Sequence, residues 1–504
     1  RYIIGGPQGG GLETTSEILS WAFARSGYGI ISDREYFSNI KGRHSYVHAT
    51  VSATELPRHL NYPVDIVAAM DAETVFTHFN DLRDGGYLIY NSDDDSVNYT
   101  SIPSMERDLR DRLSEQFKEL GLDGTVKSVV KYLKSSRKVR DVALSFKELL
   151  MEIQKREGVV PSQASRYIST ILVGAVAAIT DISEESLNYS LKRRFDREDV
   201  YRHNRAMASI VIDLVKGQYG SELKLEPPRI GVREILIASG NDAIAMAKVV
   251  AGVRFQAYYP ITPAADESFT LEEYETLGGE GSVIVFQTED ELAAINAAIG
   301  AALTGTRSSV ATSGPGFDLM VEGLGWAGQN EVPVVVTYYQ RGGPSTGQPT
   351  RGGQSDLLSS VFASHGEYPR IVLASGDHEE AFYDAIDAFN YAETYQVPVI
   401  HLVDKFLANT ITTIPMPNLN NVRIVRGLLA PRGLKEYKRF DLSNSVSPRA
   451  FLGDYVMWYS GDEHDEYGHI DEDPINRIRM FDKRMKKLDI IEREIPEERR
   501  YAYF

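Results

Sequence analysis

Several short stretches carry residue types at spacings that can do chemistry. Gln287-Thr288-Glu289-Asp290-Glu291-Leu292-Ala293-Ala294 sets three carboxylates between an apolar run and an Ala-rich, helix-like segment. Acids there either complement the positive end of the helix or include one partly buried group that handles a proton. Tyr259-Pro260-Ile261-Thr262-Pro263 brackets Ile-Thr with two prolines. These fix the backbone and remove two donors, which gives a rigid loop presenting the Thr262 hydroxyl. Gln340-Arg341-Gly342-Gly343-Pro344-Ser345-Thr346-Gly347-Gln348-Pro349-Thr350-Arg351 is a Gly/Pro loop after an apolar run. Its guanidinium groups suit bidentate capture of a carboxylate, although loop arginines are commonly only surface residues. Thr312-Ser313-Gly314-Pro315-Gly316 reads as a strand-to-helix turn, where α/β sheets bind ligands, and Ser313 lacks the setting of a nucleophile elbow.

Two further stretches are ambiguous. Gly5-Gly6-Pro7-Gln8-Gly9-Gly10-Gly11 stands between a strand and a helix and is either a phosphate cradle or a tight turn. It fits the dinucleotide fingerprint only with mismatches and lacks the Gly-Lys-Ser/Thr of a phosphate loop. Gly461 to His469 holds two histidines among acids, but His464 and His469 match neither a helix face nor a familiar zinc spacing, and the segment reads as a solvated loop.

The elements that must position these residues alternate. Tyr2-Ile3-Ile4, Tyr46 to Ala53, Asp65 to Met70 and Tyr87 to Tyr90 read as strands, with helices over Ser16 to Ala24, Asp108 to Glu157 and Ser165 to Ile179. Beyond Pro227-Pro228 the strand-like runs are longer and continuously apolar, as in Val332 to Tyr339 and Val397 to Val403. Such runs predict strands buried on both faces of a parallel sheet. The fold class expected is therefore α/β and multidomain, with mostly parallel sheets and helices on both faces. The expected boundaries are a first α/β domain over 1–215, a linker over 216–232, a second α/β domain over 233–412, and a polar tail over 413–504. That tail ends in a charged, solvated helix from Asn476 to Arg500.

Composition excludes several classes. The 504 residues carry a net charge of −17, which argues against nucleic acid and anionic membrane surfaces as partners. No membrane span or signal pattern is read, so the expected location is cytoplasmic. The chain has no Cys and so cannot itself hold a disulfide, a catalytic thiol or a thiolate-bound iron–sulfur cluster.

Taken together, these stretches resemble the α subunit of 2-oxoacid:ferredoxin oxidoreductases with the γ domain fused at its N-terminus. The resemblance rests on Tyr259–Pro263, Gln287–Asn296, Thr312–Gly316, Gln340–Gly347, Gly461–Ile470 and the N-terminal glycine turn with Ile40-Lys41-Gly42. It implies oxidative decarboxylation of a 2-oxoacid with coenzyme A, giving acyl-CoA, carbon dioxide and reduced ferredoxin. It further implies a first domain of γ type, which closes over the coenzyme A side, and a second domain of thiamine diphosphate pyrimidine-binding type. Thiamine diphosphate with Mg2+ would be shared with a β subunit that supplies the diphosphate/Mg2+ site and the iron–sulfur cluster, so no metal ligand is expected on this chain. The missing Cys, and the lack of a Gly-Asp-Gly with its downstream Asn, agree with that division.

Carried over by residue, Glu291 resembles the carboxylate that meets the aminopyrimidine. Tyr259, Pro260, Ile261, Thr262 and Pro263 resemble the cofactor-binding signature, with Thr262 reaching cofactor or substrate. Arg341 resembles the arginine that grips the 2-oxoacid carboxylate. Two departures are Pro7 within the glycine turn and the lack, after the tail, of the further C-terminal domain usual in the family. The competing readings are a thiamine-dependent non-oxidative decarboxylase subunit, a non-catalytic assembly subunit, and a nucleotide-binding dehydrogenase using the residue 5–11 turn with Asp33 on the ribose.

Overall fold

A computed structural model of the chain describes residues 1–36, 43–220, 223–275 and 282–501. The expected Ile40-Lys41-Gly42 motif lies outside them. Along the chain the strands are β1 (Tyr2–Pro7), β2 (Gly29–Glu35), β3 (His44–Ser52), β4 (Val64–Ala69), β5 (Leu82–Asn91), β6 (Arg140–Leu144) and β7 (Ile235–Ala238). There follow β8 (Phe255–Tyr258), β9 (Ile284–Gln287), β10 (Ser308–Ser313), β11 (Val335–Gln340), β12 (Ile371–Ala374), β13 (Val399–Asp404) and β14 (Ile411–Pro415). The chain divides into two compact units. One comprises Arg1–Ala238 with Thr410–Met416, and the other Ser239–Asn409 with Pro417 onward.

The first unit holds an eight-stranded sheet in the order β6-β5-β4-β1-β3-β2-β14-β7. From β6 to β1 the pairs are parallel, and from β1 to β7 they are antiparallel. The α/β class holds, but this sheet is mixed rather than mostly parallel. Its core includes the helix Ile168–Thr180, whose Ala/Val/Ile sequence is buried almost all round. At Gly174 a Cβ would stand 3.0–3.1 Å from Val211 and the Ala208 carbonyl, so glycine lets the helix Glu198–Tyr219 cross closely.

The second unit is built on a six-stranded sheet in the order β12-β13-β11-β10-β8-β9, parallel throughout. β10 and β11, the central strands covered on both faces, are buried at every residue, including the polar Gln340. Apolar residues of Gly240–Val250 and His378–Tyr395 cover one face, and those of Glu291–Leu303 and Gly314–Gln329 cover the other.

The structure departs from the expected organisation in three places. The stretch read as helical over Asp108–Glu157 is interrupted by β6, a short strand whose flanking charges hide its period. β7, expected within 233–412, and β14, which straddles the expected boundary at 412, pair with one another and extend the first unit's sheet through β2, so that unit takes in a strand from chain that the second unit flanks on both sides. The charged tail is not one solvated helix. It forms Pro474–Met485 and Lys487–Glu494, in which Lys483, Arg484 and Lys487 are buried. Lys483 Nζ lies 2.6 Å from Glu331 Oε1 and Lys487 Nζ 2.7 Å from Glu331 Oε2, so partners on the same unit neutralise what looks like a solvent-facing stripe.

Candidate active site

In a parallel sheet every strand ends on the same edge, so loops that follow neighbouring strands are brought together. In the second unit four adjacent strands end this way. β11 runs into Arg341, β10 into Ser313–Gly316, β8 into Tyr259–Pro263 and β9 into Thr288–Glu291. The four stretches singled out in the sequence, about 80 positions apart at their extremes, therefore share one sheet edge.

The three acids separate by position. Glu289 is exposed. Asp290 is the N-cap of the helix Glu291–Leu303, its Oδ1 accepting the Ala293 N–H at 2.7 Å, which is the capping role. Glu291 opens the helix with its side chain buried at 6% exposure. Burial raises its pKa, the neighbouring Asp290 adds to the rise, and the positive charge of Arg341 opposes it. Apart from its own amide, no hydrogen-bond partner within the described residues engages the Glu291 carboxyl. Gly316 leaves room for it, because a Cβ there would stand 2.5 Å from Glu291 Oε1 and 2.3 Å from Thr312 Oγ1. Thr288 fixes the approach, its single hydroxyl proton shared between the Asp290 carbonyl at 2.8 Å and the Tyr258 carbonyl at 3.1 Å.

Arg341 is buried at 4% exposure and joins two of the loops. Its Nη1 donates to the Thr262 carbonyl at 2.7 Å and its Nη2 to the Thr346 carbonyl at 3.1 Å, while its buried Nε has no partner. Burial lowers its pKa and the Glu291 carboxylate raises it, so the two groups sense one another electrostatically. In the proline loop, Tyr259 and Pro260 are exposed, Ile261 and Thr262 are half-buried, and Pro263 is buried with its carbonyl accepting from Asn241 Nδ2 at 3.1 Å. Glu291, Thr262 and Arg341 thus converge, and the loop folds back so that the Arg351 carbonyl accepts the Gly342 N–H at 3.0 Å. Asn241, Thr288 and Gly316 were not singled out for these roles. Asn241 and Thr288 act through backbone carbonyls distant in sequence, which no local spacing reports.

The remaining candidates resolve as follows. In the first unit, a cleft of about 520 Å3 opens beside the glycine turn, lined by Gln8, Gly9, Gly11, Asp71 and Arg166 among others. Gly11 caps the helix Leu12–Arg25 in a left-handed conformation, φ 89°, and no side chain caps the leading N–H groups of that helix. Asp33 is on β2, and β3 stands between β2 and β1, so it is not on the strand next to the glycine turn, as ribose binding by a dehydrogenase requires. His464 is fully buried with its ring 4.0 Å from Phe440, whereas His469, its ring 4.2 Å from Trp458, is exposed, so the segment is packed at His464 and solvated at its ends. Among the described residues no cluster of three or more metal-ligating side chains occurs. No described helix is long and apolar enough to cross a membrane.

Comparison with known proteins gives the family. Residues 246–483 match the family described as pyruvate flavodoxin/ferredoxin oxidoreductase, thiamine diphosphate-binding, and residues 1–213 match pyruvate ferredoxin/flavodoxin oxidoreductase. The α subunit of 2-oxoacid:ferredoxin oxidoreductase 1 from Aeropyrum pernix is 54% identical over all of this chain and 80% of its own length. That of Saccharolobus solfataricus is 45% identical, over 99% of this chain and 80% of its own. The solved 2-oxoglutarate:ferredoxin oxidoreductase from Magnetococcus marinus, with 2-oxoglutarate, coenzyme A and succinyl-CoA bound, superposes with a TM-score of 0.80 at 26% identity, over 98% of this chain and 79% of that one. With glycine turn, proline loop, acidic helix start and buried arginine all in place, the chain belongs to the α-subunit family of the 2-oxoacid:ferredoxin oxidoreductases.

Proposed function

We propose that the sheet edge carrying Glu291, Thr262 and Arg341 is this subunit's half of a thiamine diphosphate site for oxidative decarboxylation of a 2-oxoacid with coenzyme A. The observation that carries the reading is a buried carboxyl with no side-chain partner, electrostatically coupled to a buried arginine that is bonded to the proline loop. Bound thiamine diphosphate supplies the carbanion-stabilising chemistry of decarboxylation. The residues fit it: the Glu291 carboxyl is free to meet a ring nitrogen, and the lack of a side chain at Gly316 gives that carboxyl its place. Glu291, its pKa raised by burial, holds or shares a proton at its Oε atoms, which is the task of a general acid–base group. The unpartnered Nε and the fork of Arg341 are suited to the carboxylate of the substrate, with Thr262 beside it. Tyr259, Pro260, Ile261 and Pro263 shape the loop wall.

The other half of the site falls to a β subunit carrying the diphosphate/Mg2+ ligands and the iron–sulfur cluster, a reading supported by the absence of Cys here. Exposed apolar side chains on the adjoining edge strand and helices, Ile284, Phe286, Leu292 and Leu319, suit a surface that such a partner covers. The first unit, with its glycine-turn cleft, is assigned to the coenzyme A side, and ferredoxin to the electrons; a ferredoxin-linked reaction fits a cytoplasmic setting. The test is exchange of the thiamine C2 proton in the purified complex, followed by NMR after a deuterium pulse. Glu291→Gln should slow exchange by at least about 10²-fold, whereas Glu289→Gln should not. Unchanged exchange in Glu291→Gln removes this carboxyl from the chemistry.

A further inference from the structure

Beneath the candidate site, on the sheet face covered by Gly240–Val250 and Ala265–Glu272, lies a buried polar network that the reaction itself does not use. Lys248 Nζ bonds Glu267 Oε1 and, at 3.2 Å, Gln256 Oε1. Gln256 Nε2 donates to Glu267 Oε1 at 3.0 Å and to Ser268 Oγ at 3.2 Å, and Ser309 Oγ donates to Gln256 Oε1. The Tyr339 hydroxyl donates to Glu267 Oε2 at 2.9 Å. Every one of these side chains is fully buried. Burial pushes the Tyr339 hydroxyl well above its ordinary pKa, so it remains a donor.

Stability alone does not account for such a network, since a buried ion pair generally does no better than apolar residues of equal volume. Its placement does. Glu267 is on the first turn of the helix that follows the proline loop, four residues past Pro263. Tyr339 is on β11, two residues before Arg341. The Tyr339–Glu267 hydrogen bond therefore joins, from below, the same two segments that Arg341 joins through the Thr262 carbonyl. With Lys248 anchoring Glu267, the separation of the two segments is set by a contact that no substrate touches.

We propose that Glu267 and Tyr339 are positioning residues for the 2-oxoacid site, clamping the Thr262 loop at the spacing that lets Arg341 engage a carboxylate. The proposal rests on the reading of Arg341 given above, and its test separates the two. In the purified complex with the partner subunit, Tyr339→Phe removes one hydrogen bond and little volume. Backbone amides in 259–264 and 341–347 should exchange with deuterium about tenfold faster, with those of the helix His378–Tyr395 unchanged. The KM for the 2-oxoacid should rise about 3- to 10-fold, and that for coenzyme A should stay constant. Combined with Arg341→Ala, Tyr339→Phe should add nothing further, because it acts through the same arginine. Unchanged exchange in both segments, equal rises in both KM values, or full additivity with Arg341→Ala overturns the clamp. If exchange rises while Arg341→Ala leaves the 2-oxoacid KM unaltered, the clamp on the loops stands and the carboxylate role of Arg341 falls.

Discussion

Three consecutive acids at one helix start have three different environments, and each environment predicts a different mutant. Burial gives Glu291 a higher pKa in the folded chain than in the unfolded one. The folded state therefore holds this proton more tightly, and the stability this provides is lost as pH rises through the raised folded value. Glu291→Gln removes that cost. Relative to the natural chain, its melting temperature should rise between pH 5 and pH 8 even as activity falls, the trade expected of a functional buried charge. A variant that is less stable at pH 8 would show the carboxylate to be a structural cap instead. For Arg341→Ala the expected change is in substrate affinity. Losing a charge-assisted hydrogen bond costs about 1.5–3 kcal/mol, so the 2-oxoacid KM should rise roughly 10- to 150-fold with far less effect on coenzyme A. Equal damage to both substrates would transfer the role away from this arginine and make Arg351 the next residue to replace.

The helices Pro474–Met485 and Lys487–Glu494 show how an element's partners change the meaning of its sequence. Glu331, in a left-handed turn at φ 53° just past the helix Gly314–Gln329, is buried between Lys483 and Lys487, with Arg439 donating to its carbonyl at 2.7 Å. Burial opposes ionisation of Glu331, but the two ammonium groups outweigh it and hold the carboxyl well below its usual range. Replacing one member strands buried charge, and Glu331→Ala should cost about 3–5 kcal/mol in a denaturant titration. Exchanging all three together, as Glu331→Leu with Lys483→Met and Lys487→Met, should recover most of that loss. If the single substitution is harmless, these helices are not held by the ion cluster. The charged pattern of this tail is what a solvated helix also shows, because sequence period reports which residues share a face and not what that face meets.

For the molecule as a whole, the proposed function divides the chemistry between chains. On the proposed reading, this chain's candidate site supplies a carboxyl, a hydroxyl and a guanidinium, and electron transfer falls to a partner. Expressed alone, the chain should be colourless, contain no iron, and fail to decarboxylate pyruvate or 2-oxoglutarate. Stoichiometric iron in the isolated chain, or turnover by it, would end the half-site reading. The two units differ in how their sheets are made. The second is wholly parallel and positions its loops by strand order, whereas the first changes to antiparallel pairing beyond β1 and takes β14 from within the chain that otherwise forms the second.

The amino-acid sequence by itself determined the α/β class, the parallel sheet of the second unit and the four loops at its edge. Buried strands declare themselves by unbroken apolar runs, and rigid loops by their Gly and Pro content, and both signals are local. The same local signals carried the family resemblance, which the full-length similarity to α subunits supports. Only the tertiary structure decided what depends on contacts between distant residues. Such contacts pair β7 with β14 across the intervening chain, place Arg341 on the Thr262 carbonyl and hide two lysines against Glu331. In each case the deciding partner is remote along the chain, and a hydrogen bond or ion pair across such a distance leaves no periodicity to read.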